Sequence, residues 1–444
     1  MEDKLYHLLT LYKNLPFPIK FIVGKIYNSL PTNIKYGRFY NLYLKRINDF
    51  NKRQNVLLEN QISYVIENIP YYKGNEYKSI IDFPVINKNI IRENFNQFLN
   101  LKNNGIKTNT GGSSGTPFEF YLEKGVSRPK EKAHFDWYWN QFGYNSGNKI
   151  LMIRGESLAN DKLYEYQAIG NKLAISCYHI NKINIESVIN IINKFNPKFI
   201  HGYPSALKNF IDLVEENSKS LELEIKAIFL GSEGLFYKDK ERIKKYFNSK
   251  IAHWYGHSER LVHAGNCMYS DDFHIFPFYG YVELLDDENN VITEPNIKGK
   301  IVATGFDNTV MPFIRYDTGD EAEYSEMNKC NCGFIGNSFK KIHGRNQDYI
   351  YLIDRTKVSL TAFVFGQHFD EFSKINQIQL EQNEYGKLII RIVLRGETIN
   401  NKGFVKKLTD SVNAQLEIEL KIVENIKKTK RGKHIFLIQN LKKT

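Results

Sequence analysis

The sequence contains few cysteines and no long apolar run. Four cysteines in 444 residues are too few for the disulfide framework of a small secreted domain. No apolar stretch approaches the ~20 residues that cross a bilayer. The N-terminus, Met-Glu-Asp-Lys, also lacks the apolar segment of a secretory signal. These absences exclude the disulfide-rich and membrane-spanning classes, and we expect a protein of the cytoplasm.

The formal net charge of +12 invites nucleic acid or an anionic membrane as a partner. Residues 421–444, however, contain eight Lys or Arg against the single Glu424. More than half of the positive excess therefore lies in this last stretch. A local cluster favours an anionic small ligand or a surface contact over a track for nucleic acid.

The length predicts two or three domains, since it exceeds what one core usually supports. Short apolar segments at 149–153, 199–201 and 227–230 alternate with helical patterns at 130–142 and 185–196, which predicts a mostly parallel, covered sheet. Residues 275–345 change to strands and turns. We therefore predict an α/β fold with a large N-terminal domain of mostly parallel sheets, a β-rich subdomain and a small mobile C-terminal α+β domain.

The predicted boundaries are 1–65 for an N-terminal helical region, 66–346 for the core, about 260–345 for the β-rich subdomain within it, and 347–444 for the small domain. Helices are expected at 5–12, 36–48, 363–372 and 402–416, and strands at 279–285, 300–304, 321–324, 387–394, 417–423 and 434–438. Residues 15–23 can either contact a membrane surface or pack on the main body as a helix. Packing is the favoured interpretation.

Residues 108–117 read Thr-Asn-Thr-Gly-Gly-Ser-Ser-Gly-Thr-Pro, with three glycines, five hydroxyls and no acid. Such a loop can turn backbone N–H groups inward around a phosphate. A flexible linker is the alternative, but the alternating residues 118–122 predict a strand directly after the loop. No Lys follows the last glycine, so this is not the P-loop of kinases and GTPases.

Further polar turns follow: Gly231-Ser232-Glu233-Gly234, Trp254-Tyr255-Gly256-His257-Ser258-Glu259, Arg315-Tyr316-Asp317-Thr318-Gly319-Asp320, Gly344-Arg345-Asn346-Gln347-Asp348 and a basic run ending in Lys433. For each alone, turn chemistry or a solvated charged surface is the favoured explanation. In this order they resemble the adenylate-forming enzymes. Within that superfamily the sequence is similar to the phenylacetate–coenzyme A ligase-like branch and its CapK relatives, with support from Pro70-Tyr71-Tyr72, residues 83–88 and Gly202-Tyr203-Pro204-Ser205.

The resemblance implies ATP, Mg²⁺ and a carboxylic acid as ligands. Ser113, Ser114, Gly115 and Thr116 would close over the β- and γ-phosphates. Gly231, Ser232 and Glu233 would line the adenine, and Tyr255 would stack on it beside Gly256 and His257. Ser258 would lie near the α-phosphate, and Asp320 would bind the ribose hydroxyls. Arg345 would contact the ribose or phosphate, Glu259 would hold Mg²⁺, and Lys433 would bridge the acid and the α-phosphate.

Three of the four cysteines and one histidine form a candidate zinc set: Cys267, His274, Cys330 and Cys332. Three thiolates and one imidazole close a tetrahedron around Zn²⁺, which predicts a structural ion. Unlinked core cysteines are the alternative. The resemblance favours zinc, because CapK-like sequences often show Cys…His…Cys-x-Cys here. The fourth thiol, Cys177, is interpreted as buried and inert.

The predicted function is ATP-dependent adenylation of a small carboxylic acid, followed by transfer to an acceptor, in surface polysaccharide biosynthesis. Coenzyme A, an amine and a sugar all remain open as the acceptor, and the oligomeric state is open too. Tyr138, Tyr203 and His257 are expected to shape the acid pocket, and the small domain would rotate near Gln347-Asp348. The alternatives are a basic, zinc-containing nucleic-acid-binding protein and an inactive ATP-binding relative. The first leaves the ordered turns unexplained, and the retained Glu259, Asp320 and Lys433 argue against the second.

Overall fold

The structure is a computed structural model. It describes residues 11–12, 15–48, 54–100, 102–110, 118–154, 158, 162–176, 180–217, 219–235, 237–343, 349–360, 363–364, 369–394, 398–426 and 436–441. The described α-helices are α1 Phe17–Ser29, α2 Thr32–Tyr36, α3 Arg38–Asn48, α4 Gln54–Asn68, α5 Lys88–Glu93, α6 Ser127–Asn140, α7 Ile185–Phe195, α8 Pro204–Glu216, α9 Tyr237–Phe247 and α10 Asn401–Ser411.

One large sheet of thirteen strands organises the chain. Its strands, in order across the sheet, are β12 Val291–Ile292, β11 Gly280–Leu285, β13 Lys298–Gly305, β14 Tyr316–Tyr324, β15 Ser338–His343, β10 Phe273–Ile275, β9 His263–Gly265, β8 Lys250–Gly256, β7 Ala227–Leu230, β6 Phe199–Gly202, β3 Ile150–Arg154, β5 Lys172–Ser176 and β4 Tyr164–Gln167.

The strands β5, β3, β6, β7 and β8 are mutually parallel, which confirms the predicted parallel sheet. The four residues of β7 are all buried, as expected for a strand covered on both faces. From β8 onward the pairing is antiparallel. The predicted β-rich segment is therefore not a separate sheet, because the β8–β9 pair joins it to the parallel strands.

The Gly-rich segment connects two paired strands. Strand β1, Gly105–Thr110, is antiparallel to β2, Phe118–Glu123, with Thr110 opposite Phe118. The predicted strand at 118–122 is confirmed. The loop itself is shorter than predicted, because Thr108 and Thr110 belong to β1.

One glycine divides a helix that the sequence predicts as continuous. The helix expected over 36–48 is two helices, α2 and α3, separated by Gly37 at φ 79°, a backbone conformation that glycine adopts without strain. Helix α3 packs on α6, where the Tyr40 hydroxyl donates to Asp136 at 2.8 Å. Of the helix predicted at 5–12, only residues 11–12 are described. Among the described residues, no helix is both long and apolar enough to cross a bilayer.

The C-terminal residues form a second, four-stranded sheet in the order β20 Glu417–Ile422, β19 Lys387–Leu394, β18 Ile375–Gln382 and β21 Leu437–Gln439, preceded by the hairpin of β16 Tyr349–Tyr351 and β17 Lys357–Ser359. This confirms the predicted small α+β domain. Of the helix expected at 363–372, residues 365–368 lie outside the described part of the chain, and Asp370–Lys374 form a short 3₁₀ helix. Residues 363–364 have π-helical geometry.

Candidate functional site

Three of the predicted turns lie at one edge of the sheet. Strands β6, β7 and β8 are adjacent and parallel, so the residues that follow them meet at their carboxyl ends. Tyr203 follows β6, Glu233 follows β7 and Glu259 follows β8. The structure thus brings together turns that are separated by up to 56 residues in sequence.

The turn after β7 is attached to helix α8 by its carboxylate. Glu233 accepts hydrogen bonds from the backbone N–H and the hydroxyl of Ser205, both at 3.0 Å. Ser205 lies in the first turn of α8, where the helix dipole favours an anion. The side chain of Glu233 is buried and engaged in this contact, which favours a role in holding the turn over a direct contact with a ligand.

At the same turn, position 231 has room only for glycine. A Cβ built on it would lie 2.3 Å from the indole of Trp254, so any larger residue must displace that ring. Ser232 is exposed and adopts φ 66°. Gly231 thus fixes the distance between this turn and β8.

Tyr255 and Asp320 connect the parallel and antiparallel parts of the sheet. The Tyr255 hydroxyl, on β8, donates to Oδ2 of Asp320, on β14, at 2.9 Å. Burial, and next the charge of Asp320, raise the pKa of Tyr255 well above its usual value. The hydroxyl therefore stays protonated and keeps donating to the carboxylate at any physiological pH.

Glu259 is a buried carboxylate with two described hydrogen-bond partners. Oε2 lies 3.0 Å from Nδ1 of His257, and Oε1 accepts from the Tyr316 hydroxyl at 2.7 Å. Burial alone would raise the pKa of Glu259. The hydrogen bond and charge of His257, the charge of Lys88 and the hydrogen bond of Tyr316 outweigh burial and lower the pKa to about 2. Glu259 is therefore ionised near neutral pH, as a ligand of a hard divalent cation must be.

His257 and Ser258 lie on the turn that presents this carboxylate. The second ring nitrogen of His257, Nε2, is buried and has no hydrogen-bond partner among the described residues. Ser258 is exposed, as is Gly256 at the end of β8. Glu259 is thus the inner, buried member of the turn, whereas Ser258 and Gly256 face outward.

Arg315 opens the turn that leads to Asp320. It is only 5% exposed and forms a two-pronged ion pair with Glu283, both N–O distances being 3.2 Å. It also donates to the backbone carbonyls of Ile81 and Phe83 at 3.1 Å. Arg315, directly before β14, therefore connects this strand to β11 and to residues 81–83.

Tyr138, one of the three predicted acid-pocket residues, is buried. Tyr138 is 2% exposed, and its hydroxyl lies 3.0 Å from both the His253 carbonyl and Oδ1 of Asn266. Gly265 touches its ring, since a Cβ there would lie 2.6 Å from Tyr138. This placement favours core packing over the predicted contact with substrate.

Tyr203 has a partner that the sequence did not reveal. Arg154, at the end of β3, donates to the Tyr203 hydroxyl at 3.0 Å, and its guanidinium lies 4.8 Å from the Tyr203 ring centre. No motif includes Arg154. The only signal available from the sequence was its position, directly after a predicted parallel strand.

Several predicted site residues lie outside the described residues. They are Ser113, Ser114, Gly115, Thr116, Arg345 and Lys433, together with the proposed pivot at Gln347-Asp348 and the fourth cysteine, Cys177.

The four candidate zinc ligands meet in space. The donor atoms of Cys267, His274, Cys330 and Cys332 all lie within 4.8 Å of one another. Cys267 Sγ is 3.6 Å from Cys330 Sγ, and Cys332 Sγ is 3.4 Å from Nε2 of His274. Bonds of ~2.3 Å to sulfur and ~2.0 Å to nitrogen place tetrahedral ligand atoms roughly 3.5–3.8 Å apart. The observed separations fit such a site.

The surroundings of His274 orient it toward the thiols. Its Nδ1 lies 2.9 Å from the Ser338 hydroxyl on the neighbouring strand β15, which leaves Nε2 directed at Cys332. The Phe334 ring stacks on the imidazole at 4.4 Å. Burial raises the pKa of Cys267 to about 12 in the absence of a cation. A bound zinc ion would stabilise the thiolates that this environment otherwise disfavours.

Comparisons with known proteins agree with the fold and with the resemblance to CapK. Residues 352–440 match the model of the CapK C-terminal domain family. The chain is 26% identical to CapK of Staphylococcus aureus, and the alignment covers 98% of each sequence.

The solved structures include 2-hydroxyisobutyryl-CoA ligase in complex with 2-HIB-AMP and CoA in the thioesterification state. Its TM-score is 0.55, with 17% identity over 97% of this chain and 94% of the ligase. An open conformation of the same ligase gives a TM-score of 0.51, with 17% identity over 90% of this chain and 91% of the ligase. The chain is therefore a relative of CapK, carries the CapK C-terminal domain at residues 352–440, and has the fold of the adenylate-forming ligases.

Proposed function

We propose that the protein uses ATP to adenylate a small carboxylic acid and then transfers the acyl group to an acceptor. The single observation that carries this proposal is the pairing of Tyr255 with Asp320 beside the ionised Glu259, at the edge of the sheet where the turns after β6, β7 and β8 meet. The fold, shared with a ligase that was crystallised with an acyl-AMP and CoA, supports the same reaction.

In the first step an oxygen of the acid attacks the α-phosphorus of ATP. The bond from that phosphorus to the bridging oxygen breaks, and pyrophosphate leaves. Negative charge builds on phosphate oxygens, so the site must supply positive charge rather than a covalent nucleophile. Mg²⁺, when bound, supplies part of that charge. Glu259 has the buried, ionised carboxylate that such a cation requires.

The remaining roles are assigned by motif. We propose that Ser113, Ser114, Gly115 and Thr116 contact the β- and γ-phosphates, and that Lys433 bridges the acid and the α-phosphate. The turn of Gly231, Ser232 and Glu233 would form one wall of the adenine site, held in place by the bond from Glu233 to Ser205. Arg345 would approach the ribose or phosphate.

For the acceptor we propose coenzyme A or an amine. Coenzyme A is present in the ligase structure of the same fold. The relationship to CapK motivates the further proposal that the product enters surface polysaccharide biosynthesis. We also propose a structural zinc ion on Cys267, His274, Cys330 and Cys332.

The test is exchange of labelled pyrophosphate into ATP across a panel of organic acids that includes uronic and amino acids. We expect acid-dependent exchange in the wild-type protein and its loss in Lys433→Ala. Lys433→Ala should still convert a supplied acyl-adenylate. Equal loss of both half-reactions would contradict the role of Lys433. A protein that exchanges no pyrophosphate with any acid, but shifts a DNA or RNA probe, would contradict the ligase proposal.

A further inference from the structure

Helix α1 is fixed to the body of the protein by one face. A Cβ built on Gly24 would lie 2.3 Å from the Cβ of Ala168, so the helix backbone is pressed against the turn between β4 and β5. Asn28 donates to the Ala168 carbonyl at 2.8 Å and accepts from the Gly170 N–H at 3.1 Å. These contacts set the rotation of α1 about its own axis.

The opposite face of α1 presents apolar side chains to solvent. Ile19, Ile22 and Ile26 are spaced as i, i+3 and i+7, which places them in one row along a helix. Their exposed fractions are 46%, 58% and 59%. Single exposed apolar residues are ordinary, but an aligned row of three β-branched side chains marks an interaction surface. We call this row the isoleucine ridge.

The surrounding sequence has a strongly biased charge. Residues 4–48 contain eight Lys or Arg and no Asp or Glu. Lys20 pairs with Glu165 and Arg46 pairs with Asp307, so these two cations are engaged within the protein. Lys25, Arg38 and Lys45 are exposed. Lys25 lies beside the ridge, between Ile22 and Ile26 in sequence.

We propose that the isoleucine ridge docks on an anionic lipid surface. A helix that lies in the plane of a bilayer buries an apolar row at the boundary of headgroups and acyl chains, while flanking cations contact anionic headgroups. Helix α1 combines the apolar row with the exposed Lys25 and has no acidic residue that would repel such headgroups, and Arg38 and Lys45 on α3 are further exposed cations. The docking requires no segment that crosses the bilayer, and it is independent of the ligase reaction proposed above.

The experiment is sedimentation of the wild-type protein with two kinds of vesicle. One contains equal parts of phosphatidylglycerol and phosphatidylcholine, and the other contains phosphatidylcholine alone. We expect binding to the anionic vesicles only, weakened in about 1 M salt, where the Debye length falls to roughly 3 Å. The double variant Ile22→Ser/Ile26→Ser should bind at least about tenfold more weakly.

A matched control is Ile183→Ser, which removes an isoleucine that is 95% exposed and is not part of α1 but precedes helix α7 in sequence. This variant should bind vesicles as the wild type does. Equal binding by the wild type and the double variant would overturn the proposal, as would failure of the wild type to bind anionic vesicles. A concentration-dependent dimer that only the double variant loses would assign the ridge to a second copy of the chain instead.

Pyrophosphate exchange without vesicles separates the two proposals. The double variant should exchange at the wild-type rate, because neither isoleucine contacts the candidate site. If neither protein exchanges pyrophosphate while the vesicle results hold, the ligase proposal fails and the lipid proposal stands.

Discussion

The hydroxyl of Tyr255 lies 2.9 Å from a carboxylate oxygen of Asp320, although 65 residues separate them. Tyr255 lies on β8, the last of the parallel strands. Asp320 lies in the middle of β14, which belongs to the antiparallel part of the sheet. The hydrogen bond therefore holds two groups side by side. One is an aromatic ring that can stack on a base, and the other is a carboxylate that can accept hydrogen bonds from a pair of ribose hydroxyls.

Replacement of Asp320 tests whether this pair recognises the nucleoside. We expect Asp320→Ala to raise the KM for ATP by roughly ten- to a hundredfold, because a charged hydrogen bond contributes ~1.5–3 kcal/mol. Tyr255→Phe keeps the ring and should raise the KM only a few fold. The measurement is pyrophosphate exchange at varied ATP. A suitable control is Glu321→Ala, since the neighbouring Glu321 forms an exposed ion pair with Lys298. An unchanged KM in Asp320→Ala would contradict the assignment.

Convergence of the turns was predictable because it depends on local pattern and on a general property of parallel sheets. The apolar run 227–230, bounded by polar turns, predicts β7, and its carboxyl end must adjoin those of its neighbours. The loop at 111–117 and the last lysines were also picked out by composition, but they lie outside the described residues.

Side-chain partners distant in sequence were not predictable. The motif that contains Arg315 does not indicate its ion pair, because the partner Glu283 lies 32 residues away on β11. The family resemblance predicts that Tyr138 shapes the acid pocket. Its hydroxyl instead lies within hydrogen-bonding distance of the His253 carbonyl, a partner that only the tertiary structure supplies. In both cases a buried polar group obtained its hydrogen bonds from strands whose pairing the sequence does not encode locally.

The buried ion pair of Arg315 and Glu283 predicts an asymmetry between single and double variants. Arg315→Met should lower the free energy of unfolding by about 3–5 kcal/mol, because it leaves a buried carboxylate without its partner. The double variant Arg315→Met/Glu283→Leu should lose much less of the free energy of unfolding, because no buried charge is left without a partner. Urea unfolding gives both values, and Lys298→Met, which breaks the exposed pair with Glu321, should change stability little. A double variant less stable than Arg315→Met would contradict this account.

Metal analysis tests the Cys₃His cluster. We expect about one zinc ion per chain in the wild type. Cys332→Ser should lower both zinc content and thermal stability, because the site closes only with four ligands. Its KM for ATP should not change. Cys177→Ser makes the same chemical change at the cysteine that is not among the four proposed ligands and should keep the zinc. A metal-free wild-type protein with unaltered stability after chelation would remove the zinc proposal.

His263 is a buried imidazole in an aromatic environment. It is 2% exposed, and neither ring nitrogen has a hydrogen-bond partner among the described residues. The rings of Phe135 and Phe276 lie 4.5 and 4.6 Å from it. Burial, with a smaller contribution from Lys130, lowers the pKa of His263 to about 3.

This depressed pKa predicts a stability that depends on pH. In the unfolded chain His263 takes up a proton as the pH falls through ~6.5, whereas the folded protein resists it until about pH 3. Stability is therefore lost as the pH falls across that window. His263→Phe removes the titrating group without removing a described hydrogen bond, so its free energy of unfolding relative to the wild type should be about 2 kcal/mol higher at pH 5 than at pH 8. At pH 8, above the unfolded pKa, the two proteins should differ by the packing change alone. Urea unfolding at both pH values measures the difference. An equal shift at pH 5 and pH 8 would mean that His263 is not held neutral by its surroundings.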